Sequence, residues 1–274
     1  MEKINFKKKF GQNFIYDTNL LRAIVSDAGI TSEDNVLEIG VGIGTLTKEL
    51  CLKANKVVSY EIDTDLKPQI EKTLDKITNS LVVYKDFMDA DNDEISTHLG
   101  NNIKVVANLP YYITTPIIFK LLSNNNIKSI TIMVQKEVAQ RICAKFNTED
   151  YGILTIMIQS VANVSIKRIV NRNMFTPMPN VDSAIVNIQI DKNKYNIIDY
   201  KHFTTVIQSA FAHRRKMLLS NIKTGMGYKQ DFLENVFSIC KIDKSVRGEA
   251  LDIQTFVNLS NTIIREQKNE KTTT

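Results

Sequence analysis

Cysteine and histidine are scarce in this chain. Its three cysteines, Cys51, Cys143 and Cys240, lie far apart, and an odd, scattered set gives neither a disulfide framework nor a zinc pattern. Each reads as a small buried hydrophobe. The three histidines, His98, His202 and His213, are as dispersed, so spacing supports no Ser/His/Asp or Cys/His constellation. Chemistry resting on histidine or on a metal is not expected. Long hydrophobic runs are missing too: none approaches the roughly 18–20 apolar residues that a membrane helix needs. The uncharged region around Tyr151–Ile166 is interrupted by Gln159, Ser160 and Asn163 and reads as core. The opening MEKINFKKKF has lysines with no apolar block behind them, which is not the pattern of a secretory signal. The expectation is a cytoplasmic protein with no membrane partner.

What is present is ordinary for a globular protein. The chain has 274 residues, 43% apolar and 24% charged, which excludes wholesale disorder and fibrous classes. At roughly 100–200 residues per domain, the length suits one large domain with a smaller appendage. The net charge of +5 is mild, but its placement is informative. Lys7-Lys8-Lys9 opens the chain and Arg214-Arg215-Lys216 lies in its last third. Two basic clusters are compatible with a nucleic-acid footprint; solvated surface charge fits the same counts.

Strand and helix patterns alternate through about residue 190. Asp17 can cap a helix whose apolar positions Leu20, Leu21, Ile24, Val25 and Ala28 repeat at helical spacing, with Gly29 as a stop. Strands are expected over 36–39, 56–60, 81–84, 103–107 and 129–134, and near 164–170 and 184–190. Helices are expected over 45–54, 66–77, from Thr115-Pro116, over 137–145 and around 153–161. Such alternation implies an α/β fold, a mostly parallel sheet with helices on both faces. The last two strands have no full helix between them and suit an antiparallel edge. From Tyr200 onward only helical spacing recurs, through Phe203, Val206, Ile207 and Ala210, then Phe232, Val236 and Phe237, then Phe256, Leu259 and Ile263. The expected division is residues 1–194, with a basic arm over 1–16, and a small all-helical domain over 195–274.

Three motifs carry chemistry. Glu38-Ile39-Gly40-Val41-Gly42-Ile43-Gly44 follows a strand and opens a helix. Glycines there allow a tight turn and close approach to a ligand. Thr45 occupies the third glycine position of the dinucleotide fingerprint, so that pattern fails. The form E-x-G-x-G-x-G instead resembles the first motif of class I, Rossmann-type S-adenosylmethionine-dependent methyltransferases. Glu61 ends the second strand, where a carboxylate can accept hydrogen bonds from ribose hydroxyls. Asp86 follows the third strand and can accept from an adenine amine.

The sharpest motif is Asn108-Leu109-Pro110-Tyr111, directly after the fourth strand. An exocyclic adenine amine is a poor nucleophile, because its lone pair is delocalised into the ring. Methyl transfer makes that nitrogen more tetrahedral and partly positive. The Asn108 side-chain oxygen and a nearby carbonyl can accept its N–H bonds and stabilise the charge. Pro110 fixes φ and pushes Leu109 towards extended geometry. Tyr111 can stack on the base. Phe175, in the stiff segment Phe175-Thr176-Pro177-Met178-Pro179-Asn180-Val181-Asp182-Ser183, is a candidate second wall for a flipped base.

Taken in order, Lys9-Phe10-Gly11-Gln12-Asn13-Phe14, the glycine motif, Asn108 to Tyr111, Gln135-Lys136-Glu137-Val138 and Phe175 to Ser183 resemble the ribosomal RNA adenine N6-dimethyltransferase family over almost the whole chain. Ala210 to Lys216 and Arg247-Gly248-Glu249 resemble its small-subunit branch. The resemblance implies transfer of methyls from S-adenosylmethionine, leaving S-adenosylhomocysteine, to N6 of two adjacent adenosines near the 3′ end of small-subunit rRNA. No metal is implied. The implied partner is rRNA in an assembling pre-30S particle, and a monomer is expected. By motif position the cofactor set is Asn13, Ile15, Glu38, Gly40, Gly42, Gly44, Glu61, Ile62, Asp86, Phe87 and Asn108. Tyr111 and Phe175 would sandwich the adenine. Lys7, Lys8, Lys9, Arg214, Arg215, Lys216 and Arg247 would contact RNA. Residue 112 is Tyr where many relatives have Asn or His, a departure beside the key motif.

Three alternatives compete: a large-subunit enzyme of the macrolide-resistance type, a non-catalytic assembly or nucleic-acid-binding factor on the same fold, and, more distantly, a nicotinamide-dependent oxidoreductase.

Overall fold

The computed structural model describes Lys7 and residues 11–273. The chain runs through β1 (Phe14–Ile15), α1 (Thr18–Asp27), β2 (Asn35–Ile39), α2 (Thr45–Cys51), β3 (Lys56–Glu61), α3 (Lys67–Thr73), β4 (Ser80–Tyr84), α4 (Asn92–Leu99), β5 (Ile103–Asn108), α5 (Thr114–Ser123), β6 (Ile127–Gln135), α6 (Lys136–Ile142), α7 (Ile153–Gln159), β7 (Ala162–Val170), β8 (Phe175–Thr176), β9 (Ser183–Ile190), α8 (Tyr200–Ala210), α9 (Leu218–Met226), α10 (Gln230–Ile239) and α11 (Ile253–Thr273).

The main sheet has seven strands in the order β4-β3-β2-β5-β6-β9-β7. β2 pairs in parallel with β3 and β5, β3 with β4, and β5 with β6, while β9 is antiparallel to β6. The expected antiparallel edge is present, with β9 inserted between β6 and β7. Strand order reverses between β2 and β5, so their carboxyl ends flank the crevice where open α/β sheets bind ligands. Gly40 follows β2 and Asn108 ends β5. Central strands are apolar because both faces are covered: Val36, Leu37, Val57, Val58 and Val106 have no exposure.

Local chemistry sets the ends of elements. The Asp17 side chain accepts from the Leu20 N–H at 2.7 Å and starts α1. The helix read over 66–77 is shorter than expected. A 3-10 turn over Thr64–Leu66 leads into α3, which ends at Thr73, and Lys76 adopts a φ of 67° that no helix can continue. β1 and β8 form a separate two-stranded pair, Phe14 opposite Thr176 and Ile15 opposite Phe175.

The chain divides into two compact units. One runs to Ala139 and includes Asn163–Ile190; the other comprises Gln140–Ala162 and the chain from Asp191 onward. This differs from a single cut at 194/195, because Tyr151, Ile156 and Met157 share one apolar core with Phe203, Val206, Phe237, Phe256 and Ile263. Burying that face stabilises the helical unit; α7 supplies a wall that the later helices lack. Among the described residues no helix is long and apolar enough to cross a membrane.

Candidate active site

A cleft of about 1010 Å³, its mouth included, opens at the strand-order reversal. It draws on five segments. Gly11 to Ile15 supply one side, the glycine loop after β2 a second, and Glu61-Ile62 after β3 a third. Lys85 to Phe87 and Asn108 to Pro110 complete it, with Tyr112, Ile113 and Ile117 following. Of the expected cofactor set, Asn13, Ile15, Gly40, Gly42, Glu61, Ile62, Asp86, Phe87 and Asn108 all line this one space.

The glycine loop is shaped for close approach. Gly40 and Gly42 have φ of 81° and 58°, which L side chains rarely adopt. A Cβ on Gly42 would stand 3.0 Å from the Phe14 ring. The Gly42 N–H donates to Glu61 Oε2 at 2.8 Å, and the Asp63 N–H donates to Glu61 Oε1 at 2.8 Å. Those bonds hold the carboxylate at the cleft with acceptor capacity still to offer. Burial raises the Glu61 pKa above its ordinary value, against the pull of these backbone donors.

Asn108 sits opposite. Its Nδ2 donates to the Asn13 carbonyl at 2.9 Å, which commits one amide hydrogen and leaves Oδ1 as the acceptor end. Pro110 has φ −60° and ψ 131°. Its carbonyl accepts from Ile113 N at 3.3 Å and Thr114 Oγ1 at 3.0 Å. Leu109 is buried and its N–H donates to the Met133 carbonyl at 3.3 Å. Tyr111, expected to stack on the base, is not among the residues that line this cleft; it is half-buried and its hydroxyl pairs with Ser183 Oγ at 2.7 Å. Burial raises its pKa, so the phenol stays neutral. The Asp86 side chain accepts from Met88 N at 2.8 Å and so turns the chain at the cleft.

Several expectations are corrected. Glu38 does not line the cleft: it is wholly buried beneath the glycine loop, its Oε2 accepting from Thr47 Oγ1 at 2.6 Å and Ser59 Oγ at 2.7 Å. Burial pushes its pKa up to about 8. Gly44 also stands behind the cleft, where its φ of 83° starts α2 and a Cβ would press on Thr73. Phe175 offers no open wall. It is 3% exposed, because β8 pairs with β1 and its ring joins the core of Ile15, Leu21, Val36 and Val106.

Lys7 is not turned outward to a polyanion. Its ammonium bonds to Asp63 at 2.6 Å and to Asp65, while Gln12 Nε2 donates to Asp63 at 2.7 Å. Burial pushes the Asp63 carboxyl up, but Lys7 and Gln12 outweigh it and hold its pKa below the usual range. Lys8 and Lys9 lie outside the described residues. Arg214, Arg215, Lys216 and Arg247 are all exposed on the helical unit.

Sequence patterns alone do not reveal Asp63 as the anchor of the N-terminal segment; its spacing, two residues past Glu61, is the available signal. Nor do they reveal Tyr112, Ile113 and Ile117 as cleft residues. The Tyr111–Ile113 turn spreads consecutive side chains around its axis, which no strand pattern reports.

This cleft sits in a chain whose residues 3–265 match the family model described as ribosomal RNA adenine dimethylase. The chain is 43% identical over 268 residues to ribosomal RNA small subunit methyltransferase A of Bacillus mycoides (strain KBAB4), covering 95% of this chain and 92% of that one. It is 42% identical over 263 residues to the protein of the same name from Clostridium botulinum (strain Kyoto / Type A2), covering 95% of each. Its fold is similar to the crystal structure of a dimethyladenosine transferase from Plasmodium falciparum, with a TM-score of 0.77 and 26% identity over 93% of this chain and 98% of that one. Sequence, fold and cleft thus agree, and the chain belongs to the ribosomal RNA adenine dimethylase family.

Proposed function

We propose that this chain dimethylates N6 of two adjacent adenosines near the 3′ end of small-subunit rRNA, acting as a single chain on the assembling pre-30S particle. The observation that carries the reading is the position of Asn108. Its amide nitrogen is bonded to Asn13, and it shares one cleft with Glu61 and the glycine loop.

The residues present fit S-adenosylmethionine. Gly40 and Gly42 leave a cradle that Cβ atoms would narrow, and Glu61 and Asp86 supply acceptors for a ribose and an adenine amine. When bound, this cofactor supplies an electrophilic methyl group on a sulfonium centre. The chain's own residues do the rest. Asn108 Oδ1 accepts one N6–H of the adenine. The Pro110 carbonyl is already committed to Ile113 and Thr114, so the Leu109 carbonyl takes the second. Both acceptors stabilise the positive charge that grows on nitrogen. Tyr111, locked by Ser183, offers its ring to the base. No general base is needed before attack, because the amine proton becomes acidic as the new bond forms.

The relatives named as small-subunit enzymes favour this reading over the large-subunit alternative. The test is incubation of the protein with methyl-labelled cofactor and unmethylated 30S or 50S particles. Label confined to two adjacent adenosines of 30S rRNA is expected. Label in 50S rRNA alone would establish the rival, and no label in either would leave a binding factor.

A further inference from the structure

Tyr112 is 62% exposed, more than any other large apolar side chain among the described residues, yet it lines the cleft beside Asn108 and Pro110. Its ring lies against Gly11. A Cβ built on Gly11 would come 3.3 Å from Tyr112 Cδ1 and 3.5 Å from Cε1, and 3.6 Å from Pro110 Cβ. Gly11 has a φ of 60°, so a bare, positive-φ main chain backs the ring. So much exposure leaves the ring little part in the core, and what it offers instead is a flat apolar face at the rim of the site.

Tyr112 cannot be a second slab on the base that Tyr111 meets. The two are consecutive in a 3-10 turn over Tyr111–Ile113, where successive side chains diverge by about 120°. They address different objects. The proposed reaction, on which this inference rests, modifies two adjacent adenosines. While one stands at Asn108, the other is a purine a single nucleotide away. Phe175, buried at 3%, is not available to hold it.

We infer that Tyr112 is a positioning residue that stacks on the adenosine next to the one being methylated. The face is apolar and sequence-tolerant, as a platform must be if the two adenosines exchange places between transfers. The hydroxyl is not needed for stacking, so the ring alone carries the effect.

The experiment is steady-state methylation of unmethylated 30S particles at saturating S-adenosylmethionine, with the particle concentration varied. Wild type, Tyr112→Ala and Tyr112→Phe are compared, and cofactor affinity is measured separately by titration. Tyr112→Ala is expected to raise KM for the particle about tenfold or more, as loss of one base–aromatic stack does. Its kcat and its cofactor affinity should stay close to wild type. Tyr112→Phe should restore KM. Thermal melting checks that both variants fold, as an exposed position should allow. An alanine variant with wild-type KM overturns the inference. A loss confined to kcat overturns it as well, and so does a loss of cofactor affinity, which would make the ring a cofactor cover. Methylation by wild type tests the functional reading, and wild type against variant tests Tyr112, so the two failures are distinguishable.

Discussion

Asn108 and Asn13, 95 residues apart in sequence, are joined by a 2.9 Å hydrogen bond from the Asn108 amide nitrogen to the Asn13 carbonyl. The bond ties the end of β5 to the N-terminal segment that walls the cleft. It also decides which end of the carboxamide can accept from a substrate amine. Asn108→Ala removes that acceptor, and single-turnover methylation should fall about 100-fold or more. Cofactor affinity, which the proposed function assigns to Glu61 and the glycine loop as well, should change far less. Asn108→Asp should not rescue, because a carboxylate has no hydrogen to give Asn13. Rapid-quench measurement with prebound particle checks both; an alanine variant as fast as wild type would remove Asn108 from the transfer step.

In the proposed function Glu61 would hold the cofactor through its charge. Its oxygens already accept from Gly42 and Asp63 N–H groups, which aim the carboxylate at the cleft. Losing a charge-assisted pair of bonds to ribose hydroxyls in Glu61→Ala should weaken S-adenosylmethionine binding about 10- to 100-fold. Burial raises the Glu61 pKa. Acidification therefore protonates it at a higher pH than an ordinary surface glutamate, and wild-type affinity should decline there. Calorimetric titration across mildly acidic pH checks this, with Glu61→Gln expected to be weak and flat over the same range.

The central strands and the crevice were legible because burial on both faces writes them as apolar runs, Val36-Leu37 and Val105-Val106 among them. The motif residues Gly40, Glu61, Asp86 and Asn108 follow those runs directly, so their convergence could be read from order alone. What escaped was written in other terms. α4 spans Asn92–Leu99 and buries only Ile95 and Leu99; its signals were the Asp91 cap and Gly100, not periodicity. The pair β1 and β8 has two residues in each strand, too short for any pattern. It is also what buries Phe175. That fate depended on a partner 160 positions away in the register Ile15 to Phe175, and local sequence carries no such information. Tyr151, Ile156 and Met157 read correctly as core, but nothing local said that the core was the helical one.

The exposed cations of the helical unit should govern the salt dependence of RNA binding. The Leu218 N–H donates to the Val246 carbonyl at 2.8 Å, which brings the turn after α8 beside the segment carrying Arg247. Arg214, Arg215, Lys216 and Arg247 are thereby gathered onto neighbouring turns, with Arg214 steadied by the Glu149 carbonyl. Affinity for unmethylated particles should fall as salt rises. Substituting Arg215 and Lys216 by Ala should reduce the log–log slope by about 0.7 for each single-strand phosphate that is no longer neutralised. Turnover at saturating particle should be unchanged. Equilibrium binding at a series of salt concentrations checks the slope; parallel lines for wild type and variant would place the RNA elsewhere.

Glu38 ties stability to pH. It is wholly buried, two hydroxyls donate to Oε2, and Oε1 has no hydrogen-bond partner. Burial pushes its pKa up to about 8, against about 4.3 in an unfolded chain. Between those values the native state keeps a proton that the unfolded state has lost, so unfolding releases one and stability falls as pH rises. The contribution is complete below about 4.3 and is gone once pH passes the native value of about 8. Glu38→Gln keeps the shape and cannot ionise. Urea unfolding at pH 6 and pH 9 should show wild type losing stability between them by more than the glutamine variant does. Above the native value the variant should be the more stable of the two. Parallel losses in both proteins would mean that Glu38 is ionised in the folded state throughout.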